Sequence, residues 1–431
     1  MIVRGQLMDV PDSPFTGGGL RTTEALLVRD GTIAARGTYE DLRRDNPSEE
    51  RLDLTEGLVL PGFVDTHVHY PQVRMIGALG MPLLDWLEHS ALPEEARLAD
   101  AGYARGVADD FLRGLIASGT TTALVFGAHF SSAVDALFGA AEQRGLRVTA
   151  GLVVSDRILR DDLLTTPDRA YAEGRALADR WHGRGRLRYA VTPRFSLSCS
   201  DPLLAACGAL HGDVPGSWFT SHINENRAEI AAVIELFPDS ADYLATYARH
   251  GLVGERSVFA HNLHASAAEL ALLAEHGSAV AHCPTSNSAL GSGLFPLREH
   301  MAAGVRVALG SDVGAGTGFS LLKEGLQAYF MQQLLGEAGL PLTSAHLLYL
   351  ATASGAAALG MAGPTADHWV GEFSVGSQFD AVWLSPATGS TLDCGLRNAD
   401  SADQALAKAF ALGTDADIAA VWVGGERVAV A

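Results

Sequence analysis

From residue 58 onward, short apolar runs alternate with longer amphipathic stretches, and few folds accommodate that alternation carried through eight cycles. The apolar runs fall at 58–69, 121–126, 147–154, 187–192, 218–222, 257–261, 278–282 and 305–310. Helical periodicity appears at 103–118, 131–145, 168–182, 227–249, 266–276 and 320–336, between or after those runs. Eight βα units predict an α/β chain closed into a (β/α)8 TIM barrel. A barrel takes roughly 250 residues or more, so a chain of 431 has room for an appended module. Residues 1–60 carry β-type runs at 25–28 and 32–34 around the turn former Asp30-Gly31. After a helical stretch at 343–359, strand signals return at 380–384 and 418–423, the latter followed by Gly424-Gly425. Both ends therefore predict one small discontinuous β-sandwich domain, with 1–60 and 366–431 flanking a barrel over 61–365.

The 48% hydrophobic and 19% charged composition supplies a large core and argues against disorder. A formal net charge of −19 disfavours nucleic acid and anionic membranes, which both call for a basic face. No apolar run approaches the length of a membrane span, and Met1-Ile2-Val3-Arg4-Gly5-Gln6 lacks the layout of a signal peptide. The expectation is a cytoplasmic protein with neither nucleic acid nor membrane as partner. Cys199, Cys207, Cys283 and Cys394 form no Cys-x-x-Cys pair, so neither a disulfide framework nor a thiolate zinc site is suggested.

In a parallel barrel the C-terminal strand ends converge on one mouth, which makes the residue ending each strand informative. The first run ends in His67 and His69, which share a face because strand side chains alternate. The fifth ends in His222, the sixth in His261, the seventh in His282, and Asp312 follows the eighth. Zinc or another borderline divalent cation takes imidazole and carboxylate ligands, and a catalytic site leaves a position for water. His67, His69, His222 and Asp312 supply such a set. Glu225, three residues past His222, sits where strand gives way to helix and can serve as general acid and base. Standing alone, it would read as a carboxylate complementing a helix dipole. His261 either ligates the metal or hydrogen-bonds the attacking hydroxide, the second being preferred. His282 either joins the site or satisfies loop backbone groups. His89, His182, His250 and His300 fall on helices or loops and read as solvated surface.

Taken together, Pro61 to Gln72, Thr192-Pro193-Arg194-Phe195-Ser196, His222 to Arg227, His282-Cys283-Pro284-Thr285-Ser286-Asn287 and Gly310 to Gly316 resemble the amidohydrolase superfamily of metal-dependent barrel hydrolases and deaminases. Two-metal members of this architecture bridge their ions with a modified lysine on a middle strand. The only lysines here, Lys323 and Lys408, cannot stand there, so one metal is expected. The resemblance implies a single zinc ion at His67, His69, His222 and Asp312, with Glu225 moving protons and His261 beside the hydroxide. The Gln72 and Pro-Arg-Phe elements further imply a purine substrate, gripped by Gln72 and Arg194 with Phe195 beside the ring. His222, Glu225 and Asp312 would face the same substrate. A planar, neutral heterocycle calls for an amide that both donates and accepts and an arginine that donates in a plane. The implied reaction is hydrolytic deamination of guanine to xanthine and ammonia by a cytoplasmic homodimer. Other rings (8-oxoguanine, a pterin, a pyrimidine, an s-triazine) and a non-catalytic assembly barrel are the alternatives. Ser311, Asn224 and Asn262 depart from the superfamily pattern beside motif residues, without removing a ligand.

Overall fold

A computed structural model describes residues 1–429. The chain opens with β1 (Ile2–Asp9), β2 (Arg21–Arg29), β3 (Thr32–Gly37) and β4 (Arg51–Pro61). The next strands are β5 (Phe63–His69), β6 (Thr120–Phe126), β7 (Arg147–Gly151), β8 (Val153–Val154), β9 (Leu187–Pro193), β10 (Trp218–Ile223), β11 (Ser257–His261), β12 (Ala279–His282) and β13 (Arg306–Leu309). The tail contributes β14 (Ala381–Leu384), β15 (Ile418–Val423) and β16 (Glu426–Val428).

Strands β5, β6, β7, β9, β10, β11, β12 and β13 neighbour one another in that order, all parallel, while the short β8 pairs β9 beside the path. The ring closes through the segment after β13. There the Asp312 amide donates to the His67 carbonyl at 2.8 Å and the His69 amide to the Val313 carbonyl at 2.9 Å. Thr66 Oγ1 also donates to the Leu309 carbonyl at 2.8 Å. Val64, Leu124, Ala190, Val258, Ala279, Ala281 and Ala308 fill the interior with small or branched side chains, as a packed barrel demands.

The expected run at 58–69 is two strands. Leu58 to Pro61 belong to β4, which pairs β1 in parallel and β14 antiparallel, and the barrel begins only at Phe63. Gly62 makes the break: a Cβ there would stand 2.3 Å from Thr121 Oγ1. Likewise 147–154 divides at Leu152, 227–249 into helices Arg227–Leu236 and Tyr243–Ala248, and 343–359 into Ser344–Ala351 and Ala353–Ala358. Chain-terminal strands make one seven-stranded sheet in the order β16-β15-β14-β4-β1-β2-β3. Between β14 and β15 stand two helices, Thr391–Arg397 and Ala402–Leu412, which the strand-like reading of the tail did not anticipate. Among the described residues, no helix is long and apolar enough to cross a membrane.

The sheet and the barrel are joined through a charge pair fully withdrawn from water. At the start of β7, Arg147 Nε donates to Asp380 Oδ2 at 2.9 Å and its Nη2 to Oδ1 at 3.0 Å, and Gln378 takes a further bond. Asp380 also accepts from the Gly424 amide at 2.7 Å, so one carboxylate ties the barrel to two points of the tail. Removing one partner of a buried pair strands the other charge in low dielectric. Asp380→Ala is expected to lower stability by about 3–5 kcal/mol, read as a shift in the denaturant midpoint.

Candidate active site

The ligand-type side chains expected at the strand ends meet in space. His67 and His69 end β5 and point the same way, with Nε2 atoms 3.2 Å apart. His69 Nε2 lies 3.1 Å from His222 Nε2, and Asp312 Oδ1 lies 3.2 Å from Nε2 of both His67 and His69. One ligand atom from each of His67, His222, His261 and Asp312 also falls within 4.8 Å of the others. His261 stands further back, its Nε2 3.7 Å from Asp312 Oδ2 and 3.6 Å from Glu225 Oε2. Three facing imidazole nitrogens carry lone pairs into one point, an arrangement that is repulsive unless a cation is shared. Four donors about 2.0–2.1 Å from one ion in a tetrahedron stand roughly 3.3–3.4 Å from each other, close to the spacing here. The donor set thus fits a borderline divalent metal.

Protonation favours the same conclusion. Burial holds the His67 and His222 imidazoles below their ordinary range and takes His69 down to about 4, leaving them neutral. Burial pushes the Asp312 carboxyl up, but the contacts from His67 and His69 outweigh it and hold it well below the usual range. Neutral imidazole and ionised carboxylate are the metal-binding forms. The rings are oriented from behind: His222 Nδ1 is 2.7 Å from the Arg194 carbonyl, and His261 Nδ1 is 3.0 Å from Asn287 Oδ1. Each contact places the ring proton on Nδ1 and frees Nε2 to face the site.

Asp65, fully buried, braces the cluster. Its Oδ1 accepts from the His67 and Ser311 amides at 3.1 and 3.0 Å, and its Oδ2 takes the Ser311 hydroxyl at 2.5 Å. Any residue at 311 with a hydroxyl at Cβ would serve, which explains the departure noted there. Asn224, His261, Asn262 and Asp312 all adopt left-handed backbone, with φ of 49°, 71°, 54° and 49°. Asparagine tolerates that region best of the side-chain-bearing residues, which accounts for Asn224 and Asn262. They also bond to each other, Nδ2 of Asn224 to Oδ1 of Asn262 at 3.1 Å. His261 and Asp312 also belong to residue types enriched there, and left-handed backbone outside glycine gathers at functional sites.

Glu225 follows β10 directly, yet it does not cap the helix Arg227–Leu236. Asn226 is the N-cap, and Glu229 returns a carboxylate to the Glu225 and Asn226 amides at 3.2 Å each, completing a capping box. The helix terminus is thereby satisfied and the Glu225 carboxyl is left to face the cluster. Ser292, from the loop between Gly291 and Gly293, donates to its Oε1 at 3.1 Å. Burial first, then the Asp312 charge, push the Glu225 carboxyl up to about 8, so it holds a proton near neutrality.

His282 stacks on Phe295, centroids 4.2 Å apart, and neither of its ring nitrogens has a hydrogen-bond partner among the described residues. It stands apart from the converging ligand atoms. His300, read from sequence as solvated surface, is instead completely buried, with Nε2 3.1 Å from Asn262 Nδ2 and Nδ1 3.0 Å from the Pro296 carbonyl. It lies on the inward side of the helix Leu297–Ala303, a fact its polarity concealed.

Beside the cluster lies a cavity bounded by Gln72, Arg194, Phe195, Glu225, Trp86 and Leu290 among others. A wider depression, lined by Arg188, Trp218 and Arg306, opens at the opposite strand ends, away from the ligand atoms. Gln72 lies in the short helical turn Tyr70–Met75, while Arg194 and Phe195 directly follow β9. All three side chains are buried, an unusual state for an arginine and a glutamine. Their partner is Glu95, which accepts from Gln72 Nε2 at 2.7 Å and from Arg194 Nη1 at 2.6 Å. Glu95, and the His129 ring 3.3 Å from it, carried no signal in the sequence. Leu92-Pro93-Glu94-Glu95-Ala96 reads as an ordinary acidic helix start.

A parallel barrel whose strand ends gather imidazoles and a carboxylate around one point defines a metal-dependent hydrolase. Residues 58–428 match the Amidohydrolase family, and the chain belongs to it. A probable guanine deaminase of Deinococcus radiodurans is 61% identical over 98% of this chain and 97% of its own length. Guanine deaminase of Escherichia coli is 40% identical over 99% and 97%, and its solved structure superposes with a TM-score of 0.94, covering 99% of both chains. A guanine deaminase from C. acetobutylicum, solved with guanine bound in its active site, superposes with a TM-score of 0.91 at 28% identity over 99% of each chain.

Because the donors on different strands share one point, losing a central one should empty it. His69→Ala is expected to reduce bound metal, measured by elemental analysis after dialysis, toward none. The circular dichroism of the barrel should be retained.

Proposed function

We propose that this protein hydrolyses guanine to xanthine and ammonia, with one zinc ion held by His67, His69, His222 and Asp312. The observation that carries this reading is one cavity onto which a metal-type donor cluster, the Glu225 carboxyl, and the donors of Gln72 and Arg194 all open. The sequence and structural likeness to guanine deaminases supports the choice of ring. A zinc ion in such a set supplies Lewis acidity that makes water nucleophilic near neutrality.

The chain's own residues do the rest. Arg194 donates to the ring carbonyl oxygen and Phe195 packs beside the ring, while Gln72 offers both a donor and an acceptor to its edge. This holds the amino-bearing carbon toward Asp312 and His261. Water adds to that carbon; Asp312 and His261 orient it, and its proton passes to the ionised Asp312 carboxylate. Glu225, protonated at rest, gives its proton to the adjacent ring nitrogen as the C–O bond forms. When the tetrahedral carbon collapses, the proton held on Asp312 passes to the amino nitrogen, the C–N bond breaks to release ammonia, and the hydroxyl proton returns to Glu225 as the new carbonyl forms. One water enters, and one ammonia and one xanthine leave.

The finer features of the reading are a cytoplasmic homodimer and a division at residues 60 and 365, with the terminal segments as one module beside the barrel. The homodimer is tested by light scattering on the purified protein. The function itself is tested by following xanthine and ammonia together when zinc-loaded protein meets guanine. One-to-one release is expected, and its absence would overturn the reading.

Two substitutions apportion the roles. Glu225→Gln keeps shape and removes the exchangeable proton, so kcat should fall roughly 10²–10⁴-fold with zinc retained. Arg194→Ala loses a charge-assisted hydrogen bond of about 1.5–3 kcal/mol, so kcat/KM for guanine should fall tenfold or more with zinc again retained.

A further inference from the structure

The interior of the cavity wall contains a carboxylate that the deamination chemistry does not use. Glu95, on the helix Leu92–Ala96, is 2% exposed and touches no ligand-type residue of the metal cluster. Its two oxygens are divided between two substrate-facing side chains: Oε1 takes Gln72 Nε2 at 2.7 Å and Oε2 takes Arg194 Nη1 at 2.6 Å. His129 Nε2 stands 3.3 Å from Oε2, with both side chains buried.

Two consequences follow from this geometry. The first concerns the Gln72 amide. Its Oε1 accepts from the Gly314 amide at 3.1 Å, while its Nε2 donates to Glu95. Gly314 N–H can only donate and an ionised carboxylate can only accept, so turning the amide over would create two repulsive contacts at once. His69 Nδ1, 3.4 Å from the same Nε2, makes the longest of these contacts. A primary amide has two donor hydrogens and two acceptor lone pairs, and one of each is consumed here. One donor and one acceptor, in fixed order, remain for a ring edge.

The second consequence concerns charge. Arg194 alone would make this cavity wall cationic and attractive to anions. Paired with Glu95 in a buried contact, the guanidinium is neutralised and still has N–H groups to spare for a carbonyl oxygen. Burial opposes ionisation of Glu95, but Arg194 and His129 outweigh it and hold the carboxyl below its usual range.

We propose that Glu95 is a positioning residue that sets which ring the cavity accepts: by locking the Gln72 amide and cancelling the Arg194 charge, it selects an uncharged carbonyl-bearing ring and rejects ring anions. The proposal rests on the deamination reading above. It gives the release of product a basis too, since xanthine carries an additional acidic ring N–H and its anion would be disfavoured beside Glu95.

The test uses zinc-loaded native protein and the variants Glu95→Gln and Glu95→Asp. Steady-state kinetics on guanine are measured together with inhibition by xanthine on both sides of the pH at which its ring N–H is lost. The ratio of anion to neutral affinity in each variant is divided by the native ratio, which removes titrations common to all three proteins. For Glu95→Gln we expect unchanged zinc, a KM for guanine raised about tenfold or more, corresponding to one 1.4 kcal/mol step, a smaller change in kcat, and a ratio shifted toward the anion. Glu95→Asp keeps the charge, so its ratio should remain native while its KM rises. A native KM and ratio in Glu95→Gln would overturn the proposal, as would weakening of both ligands at an unchanged ratio, the mark of a merely structural residue. If Glu95→Gln does not fold, Glu95→Asp decides: a ratio displaced from native overturns the proposal. Failure of the underlying function is seen separately, as native protein releasing no ammonia from guanine.

Discussion

The candidate site depends on how the barrel closes. Two strands distant in sequence meet at β5 and β13, and they are joined less by a ladder than by the segment just beyond β13. The backbone bonds from Asp312 to His67 and from His69 to Val313 fix this seam, and Asp65 clamps Ser311 across it. Gly310 allows the approach, since a Cβ there would come within 2.8 Å of His67 Cβ. The seam carries the ligand atoms: His67, His69 and Asp312 are brought to 3.2 Å by the contacts that shut the ring. Fold closure and ligand assembly are one event, so strain in Asp312, at φ 49°, is held in place by bonds the barrel makes anyway.

A similar economy appears at the end of β10. A glutamate there would ordinarily be absorbed by the helix that follows, because free amides at a helix start attract carboxylates. Asn226 and Glu229 meet that demand, and Tyr243 donates to Glu229 at 2.5 Å to hold it in place. Glu225 is thereby released from a structural duty. The loop serine Ser292 then orients it toward the cavity.

How much of this was legible beforehand divides along physical lines. Strand ends with histidines could be read because barrel topology converts order along the chain into convergence in space: His67, His69, His222, His261 and Asp312 need only lie at the right ends. Gln72 and Arg194 were reached through resemblance and do border the cavity. Glu95 could not be read, since its partners lie 23 and 99 residues away and nothing local distinguishes it from Glu94, which is paired with Arg97 outside the cavity. His300 was misjudged because helical position alone does not say which face is inward. The apolar run at 58–69 hid a change of sheet, because β4 and β5 are equally apolar and only Gly62, where a Cβ would crowd Thr121, stands between them.

Three buried carboxylates around the cavity show why composition was silent about the chemistry. Burial acts on all three in one direction, against ionisation, yet they end in different states because of what each one faces. Asp312 faces the imidazoles of His67 and His69 and stays ionised, the form a metal ligand would need. Glu95 faces the Arg194 guanidinium and stays ionised, as a clamp on two donors must. Glu225 faces Asp312 and receives only a hydroxyl from Ser292, so its carboxyl rises to about 8 and keeps its proton near neutrality, the form the proposed acid would need. A proton on Glu225 also spares Asp312 a second negative neighbour, so the ligand and the acid stabilise each other's state. Identical functional groups are thus sorted into different protonation states by position alone, which is the pattern that can separate acid from base in one active site.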